Sequence, residues 1–185
     1  AEQDGNLGTG GLNFDGGILK VTGTGFTSTT KTINWGTHGG GFDIDDKTNT
    51  FTLSNIFTGS GALTKSGAGI LALTGDSSNY QGSTTVSDGS LRLDGGKLGD
   101  GTGSVHVASG ASLGGHGSIG GTTDIATGAT LFGQSGQKLT FDKDLTLNAG
   151  SKVDVTLGAP SINGLFDVKG NLTVDGTLNI TDAGG

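Results

Sequence analysis

The sequence predicts an all-β chain folded as a parallel β-helix, a β-solenoid of about nine turns, and three observations lead there. Short apolar/polar couplets such as Leu71/Leu73, Leu91/Leu93 and Val105/Val107 recur from Leu12 to Ile180, each fenced by Gly, Ser, Asn or Asp. Two-residue alternation of this kind turns one face of a strand inward and the other to water. Glycine supplies 40 of 185 residues, while Phe, Trp and Tyr supply only 8, 1 and 1, so a spherical core is hard to fill. Finally, Leu113, Ile119, Ile125 and Leu131 fall at intervals of six, a spacing that suits three short faces per turn.

Competing readings are weaker. Disordered chains lack sustained alternation of Leu, Ile and Val with Thr, Asp and Ser. No window keeps apolar residues at helical spacing for long without a Gly, and each interior Gly costs a helix roughly 1 kcal/mol relative to Ala. An antiparallel sandwich or barrel also uses short strands and Gly-containing turns, and it stays the rival fold. A sandwich, however, normally draws on more large apolar groups between its sheets.

The expected strands of the first half are Leu12–Phe14, Ile18–Val21, Thr32–Asn34, Phe42–Asp45, Phe51–Ser54, Leu63–Lys65, Ile70–Thr74, Thr84–Ser87, Leu91–Asp94 and Ser104–Ala108. The second half gives Ser118–Ile119, Thr123–Ala126, Thr130–Phe132, Leu139–Phe141, Leu145–Asn148, Val153–Leu157, Phe166–Val168, Leu172–Val174 and Leu178–Thr181. All are short, and each carries β-branched or apolar residues between turn formers. Alternation places Leu91 and Leu93 inside with Arg92 in water, and Leu172 and Val174 inside with Thr173 outside. The segments GASL, GATL and NAGS at 110, 128 and 148 punctuate turns. At ~4.8 Å per turn and about 20 residues per turn, the stack is a rod on the order of 40 Å long.

A formal charge of −7, with 17 acidic against 10 basic residues and no basic stripe, argues against nucleic acid or anionic membrane as partner. The absence of Cys excludes a disulfide scaffold, a thiolate metal site and a Cys nucleophile. The opening AEQDGNLG has neither a basic nor an apolar signal-peptide region, so the chain reads as a fragment whose export signal lies upstream.

Residues 63–93, LTKSGAGILALTGDSSNYQGSTTVSDGSLRL, resemble the passenger-associated repeat of Gram-negative autotransporters, and residues 62–121 as a whole read as that repeat region. The matching positions are Leu63, Thr64, Lys65, Gly67, Gly69, Leu71, Leu73, Tyr80, Gly82, Thr84, Thr85, Val86, Gly89 and Leu91. Segments downstream, such as GSVHVASGASLGGHGSIGG and GLFDVKGNLTVDGTLNITDAGG, resemble later rungs of such passengers, and LNFDGGILKVTGTGF fits an earlier one. GQSGQKL at 133–139 departs from the pattern, because relatives often carry a proline before a glycine-asparagine-serine turn. The resemblance implies that residues 1–185 are a single segment of a right-handed β-helix. It also implies a type V secretion substrate at the cell surface or secreted through the outer membrane, with a C-terminal barrel elsewhere in the full-length protein.

Chemistry-bearing residues are sparse. His38, His106 and His116 are far apart in sequence, and His106 alternates with Val105 and Val107 as an outward residue does. No G-x-S-x-G elbow occurs, and the single Arg92 weakens a polysaccharide-cleaving groove of clustered carboxylates and basic groups. Asp43, Asp45 and Asp46 form the densest acidic cluster and invite a Ca²⁺ ligand set, but a solvated turn beside a strand is the better account of them. Tyr80 reads as a framework residue of the repeat. Trp35, within INWGTHGGG, either lies exposed or folds over the end of an early rung. The reading is therefore a non-enzymatic, surface-displayed scaffold with no catalytic, cofactor or metal residues and no cofactor, mediating adhesion to host-cell-surface or extracellular-matrix components. Its alternative is a non-binding stalk for an upstream adhesin, protease or glycan-cleaving domain.

Overall fold

The computed structural model describes residues 4–157 and 165–182. Every strand pairing in it is parallel, and successive passes of the chain stack strand on strand into a β-solenoid. One side is an eight-stranded sheet: Ile18–Val21, Gly40–Ile44, Leu63–Ser66, Thr84–Val86, Val105–Val107, Thr123–Ile125, Leu145–Leu147 and Leu172–Val174, in that order. A second sheet stacks Thr50–Leu53, Ile70–Leu73, Ser90–Leu98, Ser112–Ile119, Thr130–Gln134, Lys152–Leu157 and Thr177–Asp182. A third side is formed where Leu139–Phe141 pairs with the end of Ser112–Ile119, and Phe166–Val168 pairs with Leu139–Phe141.

Parity explains why these segments are strands. Phe51, Leu71, Leu91, Leu113 and Leu131 lie in register on successive rungs and are all buried, whereas Arg92, between Leu91 and Leu93, is only half-buried. The six-residue interval has a geometric meaning. Leu113 and Ile119 lie on two sides of the coil, Ile125 on the third, and Leu131 comes back directly onto Leu113. Each fully buried Leu or Ile contributes roughly 1.5–3 kcal/mol of transfer free energy, so one inward residue per side on every rung builds a continuous core from small units.

The stack has about seven turns, a small departure from the expected nine. In the first sheet Leu63 aligns with Thr84, Val105, Thr123, Leu145 and Leu172 on later rungs, so successive turns take 21, 21, 18, 22 and 27 residues. Most turns are thus longer than 20 residues. At the start of the chain, Leu12–Phe14 pairs only with Ile33–Trp35, and Asp4–Leu7 forms a 3-10 turn that the alternation did not indicate. Its Asp4 carboxylate accepts hydrogen bonds from Thr29 and Thr30.

Two strands exceed their expected lengths by at least five residues. Ser90–Leu98 and Ser112–Ile119 continue through glycine because their register shifts between Asp94 and Lys97, and Gly95, Gly115 and Gly117 adopt φ of 85°, 97° and 138°. This is a β-bulge, which bends both rungs around the corner without ending the ladder. The last rung also corrects an expectation. Leu172 and Val174 do face the interior, lining an apolar hollow of about 400 Å³ with Leu145, Leu147, Phe166 and Val168. Yet they are 52% and 62% exposed, because among the described residues no further rung stacks on them.

Candidate functional site

The acidic cluster forms as alternation dictates, with Phe42 and Ile44 buried and Asp43 and Asp45 on the opposite face. Lys20, on the rung before, places Nζ 2.7 Å from Asp45 and 3.4 Å from Asp43. Its hydrogen bond to Asp45, seconded by Asp43, raises the ammonium above the usual lysine range. Asp46 instead closes a turn, accepting from the Thr48 amide and hydroxyl at 2.8 and 2.7 Å, and these bonds lower its carboxyl. The cluster is thus occupied by a lysine and a turn. Among the described residues no group of three or more metal-ligating side chains is arranged to hold an ion.

The histidines lie on different elements, and two have acquired carboxylate partners that sequence distance concealed. His106 Nδ1 is 2.8 Å from Asp124, directly beside it on the next rung. His38 Nδ1 is 2.7 Å from Asp15. Both rings are exposed, and among the described residues no serine hydroxyl bonds to either of them.

Tyr80 is fully buried. Its hydroxyl donates to the Gly61 carbonyl at 2.7 Å, with the Ser83 carbonyl at 3.1 Å, and burial pushes the phenol up to about 12. Trp35 folds over the core: its indole N–H donates to the Gly61 carbonyl at 2.9 Å, and its ring sits 5.0 Å from both Phe14 and Phe57. Both aromatics are therefore framework.

Lys65 is the residue the sequence reading missed. It occupies an inward position, in register with buried Phe42 on one rung and buried Val86 on the next, and is itself fully buried. Its ammonium donates to the carbonyls of Ser66, Gly67 and Asp88 at 2.8, 2.7 and 3.1 Å. Burial lowers it to about 8, against the pull of Asp88 and Asp43. The signal available was parity, since Leu63 and Lys65 share a face.

On the outside of the second sheet, three adjacent rungs enclose a groove of about 500 Å³. Arg92 and Asp94 come from Ser90–Leu98, His116 from Ser112–Ile119, and Phe132, Gln134 and Gln137 from Thr130–Gln134 and the loop after it. The register stacks Arg92 on Gly114 on Phe132, and sets Asp94 beside His116. Gly114 is buried beneath Phe132, whose ring a Cβ there would meet at 2.5 Å, and Gly115 lines the groove. Arg92 grips Asp94 through Nε and Nη2 at 2.8 and 2.7 Å, a bidentate pair that fixes both planes.

The passenger-associated-transport-repeat family model matches residues 63–93. The Adhesin BmaC autotransporter of Brucella suis biovar 1 (strain 1330) is 38% identical over an alignment of 154 residues, covering 78% of this chain and 4% of that protein. The extracellular serine protease of Serratia marcescens is 33% identical over 102 residues, covering 55% of this chain and 9% of that protein. No solved structure gives a significant match. The chain carries the passenger-associated transport repeat and is similar to autotransporter passengers, proteins displayed at the cell surface or secreted by way of the outer membrane, and it spans only a small part of the length of these relatives.

Proposed function

We propose that this chain is a rigid, surface-displayed passenger scaffold that mediates adhesion by contact with host-cell-surface or extracellular-matrix components, with its own C-terminal outer-membrane barrel serving export. The observation that carries this reading is the 38% identity to an adhesin along 78% of the chain. A parallel stack suits the task, because its inward ladder holds the shape while outward positions are free to vary. The match to a serine protease favours a second reading, a spacer that carries an active domain located elsewhere.

Beads coated with the 185-residue chain, tested on cultured epithelial cells and on immobilised matrix proteins, distinguish the two. Adhesion predicts saturable attachment blocked by soluble chain. Attachment by the full-length passenger but not by these beads would establish the spacer. The same preparation, screened against peptide, ester and polysaccharide substrates with and without chelator, is expected to show no turnover. Turnover abolished by changing one residue would overturn the non-enzymatic reading.

A further inference from the structure

We infer that the groove lined by Arg92, Asp94, His116 and Phe132 is a binding site for a neutral pyranose unit of a glycan. The inference rests on the adhesion reading and names the ligand class. Phe132 carries it first. Phe14, Phe26, Phe42, Phe51, Phe57, Tyr80 and Phe141 are core residues, and Trp35 and Phe166 pack against that core; Phe132 does neither. It is outward by parity, between buried Leu131 and Gly133, on a face that presents Arg92 two rungs before it and Asp154 one rung after it at the same register. A half-buried aromatic face surrounded by polar groups suits a ligand that is apolar on one side and hydroxylated at its edge, and a pyranose ring has that form.

The polar rim agrees. Arg92 and Asp94 hold each other in plane, so one donor fork and one acceptor carboxylate are presented in fixed orientation. Gln134 and Gln137 add amides that both donate and accept, as a vicinal diol requires. His116 lines the same wall; its Nδ1 is buried without a partner, which leaves Nε2 as the ring's accessible polar atom. Charge selects the neutral sugar. The one arginine is already paired with Asp94, and the chain carries −7 overall, so a uronate or sulfated sugar meets no free cation in the groove. The recess depends on glycine, since positive φ at Gly95 and Gly115 bends the two rungs that form its wall.

The test is ligand-observed NMR and calorimetry on the 185-residue chain, with maltotriose, cellotriose and N,N′-diacetylchitobiose as neutral probes, trigalacturonic acid as the anionic probe and trialanine as the peptide probe. At least one neutral probe is expected to bind, with saturation transfer strongest at ring C–H protons. Phe132→Ala and Asp94→Asn are expected to weaken it at least tenfold, and Gln134→Ala severalfold. Thr85→Ala, on the other sheet, is expected to leave it unchanged. Circular dichroism and melting of each variant separate loss of site from loss of fold; because Gln134 is exposed, its variant keeps the test alive if the others misfold. Failure of every neutral probe, preference for trigalacturonate or trialanine, or neutral binding indifferent to Phe132→Ala and Gln134→Ala would overturn the proposal. Bead attachment to cells, measured in parallel, shows whether adhesion itself stands: attachment without sugar binding removes this site and leaves that reading.

Discussion

A charged group at an inward position of an apolar ladder is costly unless every proton on it finds an acceptor. Lys65 meets that condition, because an ammonium offers three donors and three carbonyls receive them. One of those carbonyls ends its own strand, the second belongs to the turn that follows and the third to the turn one rung on, so the side chain ties consecutive corners together. Lys65→Met removes the charge but strands the carbonyls, and is expected to destabilise the chain by about 1–3 kcal/mol in urea unfolding. The pH profile separates this account from simple packing. The folded ammonium titrates at about 8 against 10.5 for the ordinary group, so between those values the unfolded chain holds the proton and the folded chain does not. Raising pH through that interval therefore favours folding. From pH 7.5 to 9.5 the wild-type unfolding free energy is expected to rise by roughly 2 kcal/mol, while that of Lys65→Met stays level. Tyr80, raised to about 12 from 10.0, contributes stability that is lost only as pH climbs above 10, and the ion-paired Lys20, Lys97 and Lys169 titrate above 10.5. A flat wild-type profile would show that Lys65 is not held in a dry site.

At the scale of the strand, one ladder runs Val86, Val107, Ile125, Leu147, Val174, with exposures of 0, 0, 0, 5 and 62%. Residue type and direction are nearly constant along it, and only stacking changes. Ile125→Asp is expected to cost about 3–5 kcal/mol, because its carboxylate has rungs on both sides and no donor. Val174→Asp is expected to cost less than about 1 kcal/mol, because its carboxylate stays hydrated. Equal losses in thermal melting would mean that the last rung is covered as the inner rungs are. Alternation made most strands legible, Leu139–Phe141, Phe166–Val168 and Leu172–Val174 to the residue, since inward and outward positions differ in chemistry. It failed where chemistry and direction part company. Lys65 is charged yet inward, Asp76–Ser77 pairs as a strand without any apolar couplet, and Gly95-Gly96 reads as a break although the bulge carries the strand onward. The groove was hidden for another reason. The outward direction of Phe132 could be read from Leu131 and Gly133, but its alignment with Arg92 spans steps of 22 and then 18 residues, and irregular turn lengths conceal which outward residues meet.

For the whole molecule, stacking means that each rung touches only its neighbours, so stability is a sum of rung and interface contributions rather than the property of one centre. Eight strands of the first sheet give seven spacings, roughly 34 Å at ~4.8 Å each, and the core is continuous along that height. Outward positions at one register can then read Arg92, Phe132, Asp154 and Asn179 without disturbing the inward ladder beneath, so a stack of this kind can carry a varied surface on a constant frame. Local stability should follow the same geometry. Amides of Val86, Val107 and Ile125, with buried neighbours above and below, are expected to exchange with solvent deuterium only through the largest opening. Those of Leu172–Val174 and Thr177–Asp182 should exchange through a smaller one, because Leu172, Val174, Leu178 and Ile180 are all more than half exposed. Native-state hydrogen exchange across a denaturant series reads this directly, with two predicted consequences. Ile125→Asp lowers protection on the rungs to both sides, whereas Val174→Asp leaves the central rungs at wild-type values. Uniform protection from Val86 to Ile180, lost all at once in either variant, would show that the rungs unfold as a single unit and that nearest-neighbour stacking is the wrong description of this chain.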